Sequence, residues 1–303
     1  MHTLPASPRR LVASLLAALL VAGLLGVPVG TAQDGEKNML WSISKGGTTV
    51  GPLVGSIHFM KSDVYPLPPA YDESFQASDV LVMETNLDSA QAKAQGLIRQ
   101  LGMYAGSKTL KSELADSTYA VLQTRADTLE LNLARMQRLE PWVISIIVPA
   151  TQMKKAGYSG ASGIDRHFFQ KAKQAGKDRV ALETPAEQFR FFDQFSPDRQ
   201  EAYLYYSLRE ANRNVEMIDD MAAAWERGDT ETLETFVQDE MQTNFPALYQ
   251  TLIVERNRNW LPQLTDMLAG DEQPLIVVGA GHVVGDDGLV RMLRNNGYTV
   301  ERQ

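Results

Sequence analysis

Apolar positions along this chain fall into two patterns. Four short continuous runs, Thr48–Val54, Asp79–Glu84, Arg179–Glu183 and Pro274–Val278, are rich in β-branched residues and predict buried strands. A further strand is predicted at Tyr298–Glu301, and an edge strand at Met39–Ser44. Between these runs the apolar spacing becomes helical. Gln91–Tyr104, Trp142–Lys155 behind Pro141, and Ile164–Gln174 before Gly176 carry it, the second with apolar residues around most of its circumference. Downstream, Pro185–Phe195 and Asp198–Ala211 form a pair broken at Ser196-Pro197, and residues 214–226 and 230–243 flank Gly228-Asp229. Pro246–Leu268 reads as one long helix and Asp287–Asn296 as a short one closed by Gly297.

Strands alternating with helices predict an α/β fold with a central mixed sheet. The strand-free stretch from about 185 to 270 predicts a helix-rich cap layer over it. One α/β domain is expected over residues 33–303, preceded by a leader at 1–32. In that leader Arg9 and Arg10 precede an uncharged apolar run, Leu11–Val29, and Gly30-Thr31-Ala32 offers small residues for cleavage. This is the tripartite pattern of a secretory signal peptide. Nothing after it is apolar enough for long enough to span a membrane, so the mature chain is expected in the periplasm.

Composition narrows the chemistry. With no cysteine among 303 residues there is no disulfide framework, thiolate metal site or cysteine nucleophile. Without the leader, 27 of the 29 basic residues face 37 acidic ones, a net charge of −10 that argues against nucleic acid as a partner.

Two of the three histidines beyond the leader stand in the same setting. Val54-Gly55-Ser56-Ile57-His58 follows one predicted strand and Val278-Gly279-Ala280-Gly281-His282 follows another. A strand that runs into a glycine projects the next side chains from the carboxyl edge of the sheet, where open α/β folds place their ligands. Glycine permits a tight turn there and leaves room beside the imidazole. The other two strong strands close on Met83-Glu84-Thr85 and Leu182-Glu183-Thr184, where a solvated surface glutamate is not expected. The order GxxH, E-T, E-T, GxxH suggests two pseudo-equivalent halves sharing one crevice. Two imidazoles with one or two carboxylates suit a divalent ion such as zinc, manganese or cobalt with a position open for water. A spare carboxylate could then act as general base.

These residues resemble the TraB/GumN family. The resemblance is carried by V-G-S-I-H, Tyr65-Pro66-Leu67-Pro68, Met83-Glu84, Gly163-Ile164-Asp165 with His167-Phe168, and Leu182-Glu183-Thr184 with Gln188. Glu255-Arg256-Asn257, Val278–Gly285 (VGAGHVVG) and Gly297-Tyr298 continue it to the end of the chain. That family is related to the Tiki metalloproteases and, more distantly, to erythromycin esterases and ChaN-like haem-binding lipoproteins of similar fold. The resemblance implies His58, His282 and Glu84 as metal ligands and Glu183 and Arg256 as catalytic residues, with Asp165 and His167 in reserve. Val283 stands where the family leads one to expect leucine.

Several competing readings fail on the residues. Gly279-x-Gly281-x-x-x-Gly285 mimics a dinucleotide fingerprint, but a Rossmann unit needs further βαβ units and the chain ends at residue 303. Neither G-x-S-x-G nor H-E-x-x-H occurs. Asp165 suits a first-turn acid, His167 a half-buried helix position, and Asn257 a partner orienting Arg256. Two functions emerge. One is an exported metal-dependent hydrolase acting on a peptide or small-molecule substrate. The other is a non-enzymatic periplasmic binding protein for haem, peptide or a polysaccharide-export component.

Overall fold

All six predicted strands form, and they join in one sheet. The computed structural model describes residues 38–303 apart from residue 210, and the leader expected at 1–32 lies outside the described residues. The strands are β1 (Leu40–Lys45), β2 (Thr48–Ser56), β3 (Val80–Met83), β4 (Asp178–Ala181), β5 (Pro274–Gly279) and β6 (Thr299–Arg302). Their order is β4-β3-β5-β2-β1-β6. β4, β3, β5 and β2 are parallel, and β1 runs against both its neighbours, so the sheet is mixed as expected.

Two strands exchange the roles expected of them. β1 lies inside the sheet, because β6 returns to pair with its outer side. β4 lies at an edge, and most of its residues are exposed. A short apolar run reports strand character but not position in the sheet, which depends on what pairs later in the chain. A stronger signal for β1 was Gly46-Gly47 between two strand runs. Both glycines have positive φ, +60° and +83°, as a two-residue hairpin turn with primed geometry requires.

The parallel register decides where the functional residues emerge. Ser56 of β2 pairs with Gly279 of β5, while Met83 of β3 pairs with Val277 of β5 and Ala181 of β4. The carboxyl ends of four adjacent strands therefore share one edge, and each is followed within three residues by His58, Glu84, Glu183 or His282.

Local signals set the helix boundaries. The helix expected at Gln91–Tyr104 is Leu87–Leu101, because the Asn86 side chain accepts from the Ser89 amide and starts it a turn earlier. Pro141–Lys155 forms as expected, and Ile164–Ala175 ends on Gly176 at φ +70°. Thr184 and Glu187 build a reciprocal cap that starts the helix Pro185–Asp193 directly after Glu183. The stretch 230–243 is not one helix: Thr230–Glu234 and Met241–Asn244 flank a π-helical turn, Thr235–Glu240. A second π segment, Gln250–Val254, interrupts the predicted long helix just before Glu255–Leu268. Wider turns of this kind rotate the face that follows and recur at functional sites.

The main core joins the sheet to its helices, with Phe168, Phe169, Trp225 and Trp260 packed around Val54, Val82 and Ile276. The helical layer has cores of its own. Leu110, Leu122, Ile144, Leu204 and Leu208 form one, so the cap draws on residues before 155 as well as on the expected 185–270. Tyr203, Val237, Leu248, Tyr249 and Ile253 form another. Among the described residues, no helix is long and apolar enough to cross a membrane.

A candidate active-site crevice at the carboxyl edge of the sheet

Gly279 marks the point of convergence. A side chain there would have its Cβ 3.1 Å from Glu84 Oε1, 3.6 Å from His282 Cδ2 and 4.0 Å from His58 Nε2. The residues predicted from opposite ends of the sequence thus meet across β2, β3 and β5. They form the polar base of a cavity of about 270 Å³, whose apolar walls include Ile57, Phe59, Phe191, Phe192 and Leu252. Phe191, Phe192 and Leu252 come from the helical layer expected at 185–270. The glycines serve close approach rather than a tight turn: Gly279 has φ −52° and ψ 138°, and neither it nor Gly55 has positive φ. A Cβ on Gly55 would lie 3.2 Å from Ala280 Cα, so its absence lets β2 and the end of β5 pack together.

Arg256 holds the base of the crevice together. Its Nη2 donates to Glu84 Oε2 and to Glu183 Oε1, each at 2.5 Å, and its Nε donates to Glu183 at 3.1 and 3.2 Å. Its Nη1 donates to the Leu252 carbonyl at 3.1 Å and lies 2.8 Å from His282 Nε2. The guanidinium also lies over the Trp260 ring, 4.6 Å from its centroid. A cation in this setting stays charged, and the two carboxylates push its pKa up although burial opposes this.

Each neighbour responds. Burial alone would raise the Glu84 pKa, but Arg256, both histidines and the Gly279 amide at 2.7 Å hold it well below the usual carboxylate range. Glu183 moves the other way, because burial outweighs Arg256. Its oxygens also accept from Gln188 Nε2 at 2.8 Å and Trp260 Nε1 at 3.3 Å. Glu183 does not line the cavity, and its observed work is to orient Arg256.

His282 is buried and neutral, its pKa lowered to about 3 by burial and then by Arg256. Asn257 fixes its tautomer. The Asn257 amide donates to the carbonyls of His282 (3.1 Å) and Asp287 (2.8 Å), so its oxygen must accept from Nδ1 of His282 at 2.8 Å. The lone pair of Nε2 then faces Arg256. Asn257 orients His282, not Arg256 as the sequence suggested.

His58 differs. Its side chain is half exposed, and Nδ1 lies 3.2 Å from Oδ2 of Asp165, leaving Nε2 toward Gly279. Desolvation in the crevice disfavours its charge, but Asp165 and the more distant Glu84 prevail and raise its pKa to about 9. Asp165 therefore belongs to the site as the partner of His58. Gly163 makes this possible, since a Cβ there would fall 2.3 Å from the His58 carbonyl. His167 stands apart, stacked on Tyr65 with centroids 5.0 Å apart and absent from the cavity wall.

Ser56 and Trp260 were not singled out for the site from the sequence. Ser56 is among the residues that line the cavity, and its hydroxyl is buried without a hydrogen-bond partner among the described residues. Nothing in a lone serine after an apolar run signals this. Trp260 lies one helical turn beyond Arg256, a spacing that could have pointed to it.

Residues 39–302 match the TraB/PrgY/gumN family over nearly the whole described chain. The chain belongs to that family. Similar proteins include Uncharacterized protein YbaP of Escherichia coli (strain K12) and its namesake in Shigella flexneri. Each is 26% identical over 247 residues, covering 80% of this chain and 87% of the relative. No solved structure matches. Within this TraB/PrgY/gumN chain, His58 and His282 of the two GxxH segments, Glu84 and Arg256 line the one crevice, and Glu183 and Asn257 hydrogen-bond to Arg256 and His282.

Proposed function

We propose that the crevice is the active centre of an exported, metal-dependent hydrolase that cleaves a peptide bond. The observation that carries this reading is the convergence of His58, Glu84 and His282 on the space left by the missing side chain of Gly279.

The donor set fits a divalent ion in part. His58 has its Nδ1 anchored by a carboxylate and its Nε2 free, the usual preparation of a metal-ligating imidazole. Glu84 Oε1 borders the same space, and His282 Nε2 is 3.9 Å from it, a separation that two ligands of one ion can have. His282 Nε2 is engaged by Arg256, however, so it could ligate only after that contact is given up. Among the described residues no group of three or more His, Asp or Glu side chains is already arranged to hold a metal. His58 and Glu84 are therefore the primary holders in this proposal, with His282 third. When bound, the ion would supply a Lewis acid and a water of lowered pKa.

The chain's own residues would do the rest. Glu183 holds Arg256, and Arg256 offers fixed positive charge to an oxyanion developing above Gly279. The apolar walls exclude water and receive hydrophobic substituents. The strand order sets the two E-T strands side by side and the two GxxH strands side by side, which we read as two halves interleaved by one strand. Export rests on the leader pattern, and a mature N-terminus at Gln33 would support it.

The test is metal analysis of the purified mature protein together with cleavage of a peptide library. A stoichiometric divalent ion, lost in both His58→Ala and Glu84→Gln while folding is kept, is expected. Unchanged metal content in those variants would defeat the ligand assignment, and binding of peptides without cleavage would favour the binding-protein alternative. The buried carboxylates of Glu84 and Glu183 at this site serve no purpose in holding haem, which favours the hydrolase reading over a haem carrier.

A further inference from the structure

A second cavity of about 250 Å³ adjoins the crevice, and Phe192 belongs to the walls of both. Its other walls are Trp142, Phe195, Tyr203, Phe245 and Leu248. The rings are ordered against one another: Trp142 stacks on Phe192 with centroids 6.1 Å apart, and Tyr203 meets Phe245 edge-on at 5.7 Å. An apolar cavity of about 150 Å³ is enough to take up benzene, so this space accommodates an aromatic side chain. One charged residue lines it. Arg199 is exposed and makes no ion pair or hydrogen bond among the described residues, unlike the tightly held Arg256.

An aromatic enclosure with a free guanidinium selects an aromatic group that carries an anion. We infer that this cavity binds the C-terminal aromatic residue of a peptide, its ring against the walls made by Trp142, Phe192 and Phe245 and its carboxylate on Arg199. Because Phe192 belongs to the walls of both, a peptide anchored here lies beside the crevice. This inference rests on the hydrolase reading and gives it a substrate class: peptides ending in phenylalanine, tyrosine or tryptophan.

The pocket is tested by binding, independently of cleavage. The probes are N-acetyl-L-phenylalanine and its amide, titrated into the mature protein and followed by protein-observed NMR. The acid should bind saturably, with a dissociation constant on the order of 1 mM for so small a ligand. The amide should bind about tenfold more weakly, for want of the charge-assisted contact. Arg199→Gln, an exposed change, should make the two probes equivalent. Ala247→Trp, which fills the cavity, should abolish binding of both, whereas Gly279→Ala in the crevice should leave binding unchanged. No saturable binding, equal binding of acid and amide by the unaltered protein, or loss of binding in Gly279→Ala would each overturn the inference. Failure of these titrations while the protein still cleaves peptides would remove the pocket alone. The expected binding without cleavage would remove the hydrolase reading alone.

Discussion

Replacing Arg256 with methionine isolates the group that organises the crevice. Methionine keeps much of the apolar stem and removes the charge. Arg256 and Glu84 are each 8% exposed, so the variant leaves two buried carboxylates, Glu84 and Glu183, facing a missing cation. Breaking a buried pair from one side costs about 3–5 kcal/mol, and two carboxylates share this partner. For a chain of this size that is a fall in melting temperature of about 10 °C. The pH dependence is diagnostic. In the unaltered protein the depressed pKa of Glu84 contributes stability that is present above the unfolded value of about 4.3 and lost as pH falls through the native value. In Arg256→Met both carboxylates gain affinity for protons, so the native state binds more protons than the unfolded chain. Stability of the variant should then rise as pH falls from 8 toward 5, shrinking its deficit against the unaltered protein. Urea denaturation at several pH values, followed by tryptophan fluorescence, measures this directly. A deficit under about 1 kcal/mol, or one equal at pH 5 and pH 8, would refute the role given to Arg256.

Other outcomes follow from the same geometry. Gly279→Ala should fold with a stability change within about 1 kcal/mol, since its backbone angles suit alanine, yet abolish activity by placing a methyl 3.1 Å from Glu84 Oε1; equal activity would sink the convergence point. Asn257→Leu leaves the buried His282 carbonyl, the half-buried Asp287 carbonyl and His282 Nδ1 without their partner, and should cost about 2–4 kcal/mol by thermal denaturation. Trp225→Phe removes the indole hydrogen bond to the Gly55 carbonyl at 2.5 Å and should cost about 1–3 kcal/mol, whereas a neutral result would show that carbonyl to be satisfied otherwise. Gly288→Ala would put a Cβ 2.3 Å from the Val284 carbonyl oxygen, a backbone clash that should lower the yield of folded protein in expression trials.

Local physics made much of this protein legible in its sequence. Short apolar runs, a proline at a helix start and a glycine at a helix end act within a few residues. Six strands and most helices could therefore be placed without the fold, and each GxxH could be assigned to a strand end. The identity of the acids at the other two strand ends followed from the same logic, because a charge after an apolar run needs a partner. What those partners are was settled only by the sheet. The order β4-β3-β5-β2 puts β5 between strands that lie far from it in the chain, so Glu84 and His282 meet across 197 intervening positions. Pairing also decided which strand became an edge, exchanging the roles of β1 and β4. Tertiary contact alone gave Asp165 to His58, Asn257 to His282, and both glutamates to Arg256, since hydrogen bonds and buried ion pairs depend on distances of a few ångströms that no spacing along the chain encodes.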